Sequence, residues 1–240
     1  MSSSAAMTSA NAETKPIASG WHTLLVVAPI AIGSVASIFQ HGLPNVHLPG
    51  MGFRLSSYFT VLAIEWVPVV LIWLALRRRG LSLGWLVSGR WPTRRAFFRD
   101  LGLGAGFVAI AIPAVGLLAR LLGADALAGT MDNVTPKTVL ELVVSLGLSA
   151  TGGFCEELVF RGYLTHQFSA WTGSRVLGIA LQGVTFGLAH GYYRQVMLAI
   201  MVQGWMLGAL AYWRKSLRPG MLAHGLQDSI GNVVAFLSKS

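Results

Sequence analysis

The apolar positions of this chain come in long unbroken runs and not in alternation. Seven runs, at about 21–40, 56–77, 101–122, 138–164, 174–191, 195–213 and 219–237, each approach the roughly 20 residues that a helix needs to cross a hydrocarbon core. Inside lipid only helices and closed barrels satisfy their own backbone, and the absence of a period of two argues against a barrel. The pattern predicts an all-α fold, a polytopic transmembrane bundle of about seven spans without internal repeat or long soluble insert.

Polar punctuation orients the bundle. The stretch between the second and third runs carries Arg77, Arg78, Arg79, Arg90, Arg94, Arg95 and Arg99, whereas the preceding one carries only Arg54. Short cytoplasmic loops collect Lys and Arg, so this loop is expected inside. Threading from it puts the N-terminus in the cytoplasm and places Arg214, Lys215 and Arg218 inside as well. Within that loop "GLSLGWLVSGRWPTRR" sets Trp85 and Trp91 among arginines, as a segment lying in the interface would, and headgroup anchoring suffices to explain it. Residues 1–20, "MSSSAAMTSANAETKPIASG", are small and polar without a basic stretch ahead of an apolar core. They are expected to be a disordered cytoplasmic tail and not a cleaved signal peptide.

Composition strengthens the membrane reading: 54% of residues are hydrophobic and 11% charged, too few charges for an ordinary soluble fold. The pI near 10.5 does not imply nucleic acid, because the arginines sit in short loops and form no interleaved basic and aromatic surface. The single Cys155 excludes an intramolecular disulfide and reads as a small apolar filler.

Ionisable groups at membrane depth are costly and mark function. Of nine acidic residues, Glu65, Glu141, Glu156, Glu157 and Asp228 fall within or at the edge of the runs, and the last three cluster with histidines in the C-terminal half. In "GGFCEELVFRGYL", residues 152–164, Glu157 and Arg161 are four apart on one helical face and are expected to neutralise each other. Glu156 is turned about 100° away and has no local partner. Walled by apolar side chains, it is suited to take a proton from water. "VTFGLAHGYY" puts Phe186 and His190 four apart, and "MLAHGLQDSIGN" puts His224, Asp228 and Asn232 on one stripe, where Asp228 can hold His224 in one tautomer. The bland alternatives are a structural ion cluster at 156–161 and a His/Asp bond stitching helices together at 224–228.

Three of these segments, "EELVFR" (156–161), "FGLAH" (186–190) and "HGLQD" (224–228), resemble the ordered motifs EExxxR, FxxxH and HxxxN/D of the CPBP, or Abi, family of intramembrane proteases. That family includes the type II CAAX prenyl endopeptidases and bacterial proteins tied to bacteriocin processing or immunity. The resemblance covers about residues 138–237. It implies that Glu156 with His190 activates the attacking water, that His224 and Asp228 steady the oxyanion, and that Glu157 and Arg161 give support.

The implied partners are a peptide or protein substrate at the membrane and the lipid bilayer, with no nucleic acid, in a bacterial inner membrane. No cofactor is expected; the alternative is zinc, with Glu156, His190 and His224 as candidate ligands. The chain divides into a tail (1–20), N-terminal spans with a basic loop (21–135) and a catalytic region (136–238). Rival functions are a non-catalytic immunity or partner-binding protein and a proton-coupled transporter, which the lack of inverted repeats disfavours.

Two tensions remain at this level. The family commonly has asparagine where this chain has Asp228, and an ionised aspartate would repel an oxyanion; it must be protonated, act through His224, or leave the donor role to Asn232. Straight helices would also put His190 at the opposite membrane face from Glu156 and His224. A break at Gly152 and Gly153, a reentrant fifth segment or a shifted boundary would bring them together.

Overall fold

The structure, a computed structural model, describes residues 15–40, 45–123 and 135–238. The regular structure among them is helical, and no strand occurs. The order is α1 (Gly20–Gln40), α2 (Phe53–Arg78), the short α3 (Leu83–Val87), α4 (Arg94–Leu121), α5 (Val139–Glu156), a π-helical segment (Glu157–Leu164), α6 (Thr165–Thr172), α7 (Arg175–Ala189), a 3-10 stretch (Gly191–Val196), α8 (Met197–Arg214) and α9 (Arg218–Leu237). Each predicted run is therefore a helix. Five helical stretches are long and apolar enough to cross a membrane: Gly20–Phe39, Phe53–Arg78, Arg94–Leu121, Val139–Thr172 and Tyr193–Arg214. The shorter Arg175–Ala189 is apolar as well. Many large apolar side chains, among them Trp21, Phe39, Val176 and Leu121, point outward, as lipid-facing residues do.

Local chemistry sets the helix ends. Thr138 caps α5 through a capping box: its hydroxyl accepts from Glu141 N, and Glu141 Oε2 accepts from the backbone of Lys137 and Thr138. Glu141, one of the five acids in the apolar runs, is thus engaged in capping and faces Arg54 at 3.7 Å. Thr93 and Ser174 cap α4 and α7 in the same manner.

The centre is the passage from α5 to α6. No break occurs at Gly152 and Gly153; the chain runs through them as α-helix and widens into a π-helix at Glu157. π-Helical turns are uncommon and often accompany functional sites. All eight of its residues are buried. Gly153 permits a close approach of two backbones, because a Cβ there would lie 2.6 Å from Gly225 N and 2.9 Å from Met221 O on α9. The two backbones meet where no side chain fits.

The N-terminal side is stitched on by a polar network. Tyr163 of the π segment bonds His22 Nδ1 and Thr23 Oγ1, each at 3.0 Å, and His22 Nε2 donates to Leu71 O. Gln167 donates to Thr23 and to Ala18 O, and Lys15 O accepts from His166. Residues 15–19, which the sequence pattern assigned to the tail, are therefore packed, with Ile17 buried in the core. Residues 1–14 of that tail lie outside the described residues. The arginine-rich loop is less superficial than expected: Trp85 stands edge-on to His166 at 5.3 Å, and Trp91 donates to Asp100 at 3.0 Å.

Candidate active site

The carboxylates of α5 and the π segment divide as their helical phase dictates. Glu157 is fully buried, and its Oε1 lies 3.0 Å from Arg161 Nη1, an ion contact whose N–H directions are not aligned as a hydrogen bond. The same oxygen accepts from His224 Nδ1 at 3.1 Å. Glu157 therefore serves two basic side chains, Arg161 of its own segment and His224 of α9. It, and not Asp228, is the carboxylate at Nδ1 that selects the tautomer of His224; the contact exists because the approach at Gly153 and Gly225 brings α9 against the π segment.

With Nδ1 engaged, His224 Nε2 faces Glu156 Oε2 at 3.5 Å and Asp228 Oδ2 at 3.7 Å. Both are electrostatic contacts, longer than a good hydrogen bond. Glu156 Oε2 is buried without a hydrogen-bond partner among the described residues. Asp228 is more open, with 42% of its side chain exposed. Asn232, one turn on, donates to Ser149 at 3.0 Å and so ties α9 to α5.

Phe186 is the post around which these groups stand. It is buried, with the Arg161 guanidinium carbon 3.9 Å from its ring centroid, close enough for a cation–π contact. His190 lies against the same ring at 4.8 Å, and His224 meets it edge-on at 5.9 Å. The phenylalanine of the second motif thus spaces the bases of the other two.

His190 follows the last residue of α7. A helix of 15 residues is about 22 Å long, shorter than the roughly 30 Å hydrocarbon core, so the chain turns before it could cross. This removes the difficulty over depth without a glycine break in α5. His190 Nδ1 donates to Phe186 O at 2.8 Å, which fixes the orientation of the ring. Ser34 of α1 fixes the chain on both sides of it, donating to Leu188 O and accepting from Gly191 N.

Glu156 and His190 line one cavity of about 90 Å³, several times the space one water requires. Its walls are chiefly apolar, from residues such as Ile30, Val61 and Val159, and Cys155 fills one side as a buried free thiol. A third polar group enters from α2. Glu65 lies over Gly152, where a Cβ would stand 3.1 Å from Glu65 Oε1, one helical turn from Glu156 on the same face. Sequence patterning marked Glu65 as an acid in an apolar run but gave no sign that it meets the C-terminal motifs. Glu156, His190 and His224, the candidate zinc ligands, do not converge as a set: no group of three His, Cys, Asp or Glu among the described residues is disposed to hold a metal ion.

No curated protein and no solved structure matches the chain. A protein-family model does, the Rce1-like family, described as type II CAAX prenyl endopeptidase Rce1-like, over residues 138–230. That interval contains all three motifs, whereas Glu65, the α1 and α2 walls and Asn232 lie outside it. Over residues 138–230 this chain is thus matched to the Rce1-like family of type II CAAX prenyl endopeptidases, the family its motifs resemble.

Proposed function

We propose that this protein is an integral-membrane endopeptidase that hydrolyses a peptide bond with a water held in the cavity between Glu156 and His190. The observation that carries the reading is the division of labour between adjacent glutamates: Glu157 is occupied by Arg161 and His224, whereas Glu156 presents a buried oxygen that accepts no hydrogen bond among the described residues, beside a cavity with room for water. A general base must stand within hydrogen-bond reach of the proton it takes, and a carboxylate without donors of its own keeps that capacity.

In the reaction Glu156 removes a proton from the water, whose oxygen attacks the carbonyl carbon of the scissile bond. His190, through Nε2, orients that water. Negative charge develops on the carbonyl oxygen, and His224, held by Glu157 at Nδ1, directs a protonated Nε2 toward it. The C–N bond then breaks as the amine nitrogen gains a proton, leaving a carboxylic acid and an amine. Asp228 balances the charge of His224 at the open side. No step runs through a metal. Placement of the arginine-rich loops in the cytoplasm is the orientation that accompanies this reading.

The test compares full-length wild type with Glu156→Gln in lipid vesicles supplied with membrane-extracted proteins, released peptides being identified by mass spectrometry. Release should fall by about 10² or more in the variant while helicity and thermal unfolding are unchanged. Equal release from both proteins would remove Glu156 from the chemistry. Capture of a protein by wild type without any cleavage would favour a non-catalytic binding role.

A further inference from the structure

Glu65 lies outside the matched interval, on α2, yet its carboxyl enters the cavity that Glu156 and His190 line. Its Oε1 rests over Gly152, at a point 3.1 Å from where any side chain there would begin, so glycine at 152 is what admits the carboxyl. Its Oε2 is buried with no hydrogen-bond partner among the described residues. No salt bridge among the described residues reaches Glu65: the arginine of this region, Arg161, is committed to Glu157 and stacked on Phe186. Two carboxyl groups that share an apolar cavity, with no arginine or lysine paired to either and only His224 Nε2 beside Glu156 at 3.5 Å, repel strongly when both are ionised, and such pairs hold one proton between them. A shared proton gives a site a base and an acid together.

We infer that Glu65 and Glu156 form a two-carboxyl pair sharing one proton, in which Glu156 acts as the base toward water and Glu65 is the acid that protonates the departing amine. The inference rests on the peptidase reading and completes its proton balance. Glu156 gains the proton of the attacking water, Glu65 gives its proton to the amine nitrogen as the C–N bond breaks, and transfer from Glu156 to Glu65 resets the pair. No co-reactant besides water and the peptide is consumed. The titratable groups facing the pair are Cys155 of α5 and His190 after α7, and, beyond Glu156, His224 and Asp228 of α9.

The experiment uses the full-length protein in phosphatidylethanolamine and phosphatidylglycerol vesicles, with two readouts. Infrared difference spectra across a pH titration follow the C=O stretch of protonated carboxyls, and a set of fluorescence-quenched peptides with apolar flanks reports hydrolysis. A protonated-carboxyl band present in wild type at neutral pH should vanish in Glu65→Gln and titrate differently in Glu156→Gln. For hydrolysis, Glu65→Gln should lower kcat by about 10² with little change in KM and remove the alkaline limb of the pH profile, and Glu65→Asp should restore part of it. An infrared band unaltered by Glu65→Gln, or full turnover in that variant with Glu156→Gln inactive, overturns the pair while leaving the peptidase reading intact. A band that depends on both glutamates in a wild type that cleaves none of the peptides keeps the shared proton but overturns the donor role together with that reading. Thermal unfolding of Glu65→Asp guards against a variant that merely fails to fold.

Discussion

Two ion clusters in this protein are built on opposite ratios. Near the arginine-rich loop, buried Asp100 of α4 is met by three arginines: Arg99 at 3.1 Å, Arg218 at 3.4 Å and Arg214 at 3.7 Å, with Trp91 donating to it as well. In the cavity region four carboxyl groups, Glu65, Glu156, Glu157 and Asp228, share one arginine, Arg161. The first arrangement joins the start of α4, the end of α8 and the start of α9, and two of its three cations, Arg99 and in part Arg214, reach solvent, where charge costs little. The second holds surplus acid among apolar walls, where charge is expensive and structure alone gives no reason to keep it. One cluster fastens loops, and the other retains surplus carboxyls that the proposed chemistry would use.

The comparison breaks most forcefully at Glu157 and Arg161. Replacing Arg161 by leucine leaves a buried carboxylate with only His224, at an expected cost of about 3–5 kcal/mol in unfolding free energy. Glu157→Leu should cost at least as much, because it strands Arg161 and releases His224 Nδ1 together. The double apolar replacement should be milder in stability than either single one, and chemical unfolding in detergent checks the order. Full stability in both single variants with activity lost would reverse the assignment of the pair to support.

Asp100→Asn is expected to cost less, about 1–3 kcal/mol, since Arg99 can turn toward water and Arg218 keeps its bonds to Ser216 and Arg90 O. Thermal unfolding should reveal that loss while peptide hydrolysis per folded molecule stays at the wild-type value. A fall in turnover at constant fold would mean that the loop-side cluster is tied to the reaction.

Much of this was legible in the sequence, for a reason visible in particular residues. Glu157 and Arg161 pair, and Phe186 lies against His190, because each couple is four apart on one stretch of helix, a spacing that local geometry converts to contact. The helices themselves followed from uninterrupted apolar runs. What stayed hidden depends on packing across distant chain. Glu65 reaches its cavity because α2 crosses α5 where Gly152 leaves space, 87 positions away in the chain, and nothing near Glu65 encodes that crossing. Glu157 and not Asp228 holds His224 because Gly153 and Gly225 let two backbones touch. The π-helical widening at 157–164 has no distinct residue signature, and the depth of His190 is fixed by where a short helix stops.

The smallest effect is expected at Asp228. Since Glu157 already sets the tautomer of His224, no orienting task is left to Asp228, whose carboxylate stands 3.7 Å from Nε2 and is partly exposed. Asp228→Asn should keep activity within about threefold or raise it, since an amide can donate to an oxyanion without repelling it. A loss of about 10² would instead assign Asp228 the charge-stabilising role behind a catalytic histidine.

The contrast between the clusters is tested most directly by measuring Glu156→Gln and Asp100→Asn side by side in the same vesicles, with peptide release and thermal unfolding recorded for both. The account predicts a crossed result: Glu156→Gln unfolds like wild type and loses about 10² or more in turnover, whereas Asp100→Asn unfolds at lower temperature and turns over normally. Two variants that lose stability alike and cleave alike would contradict it.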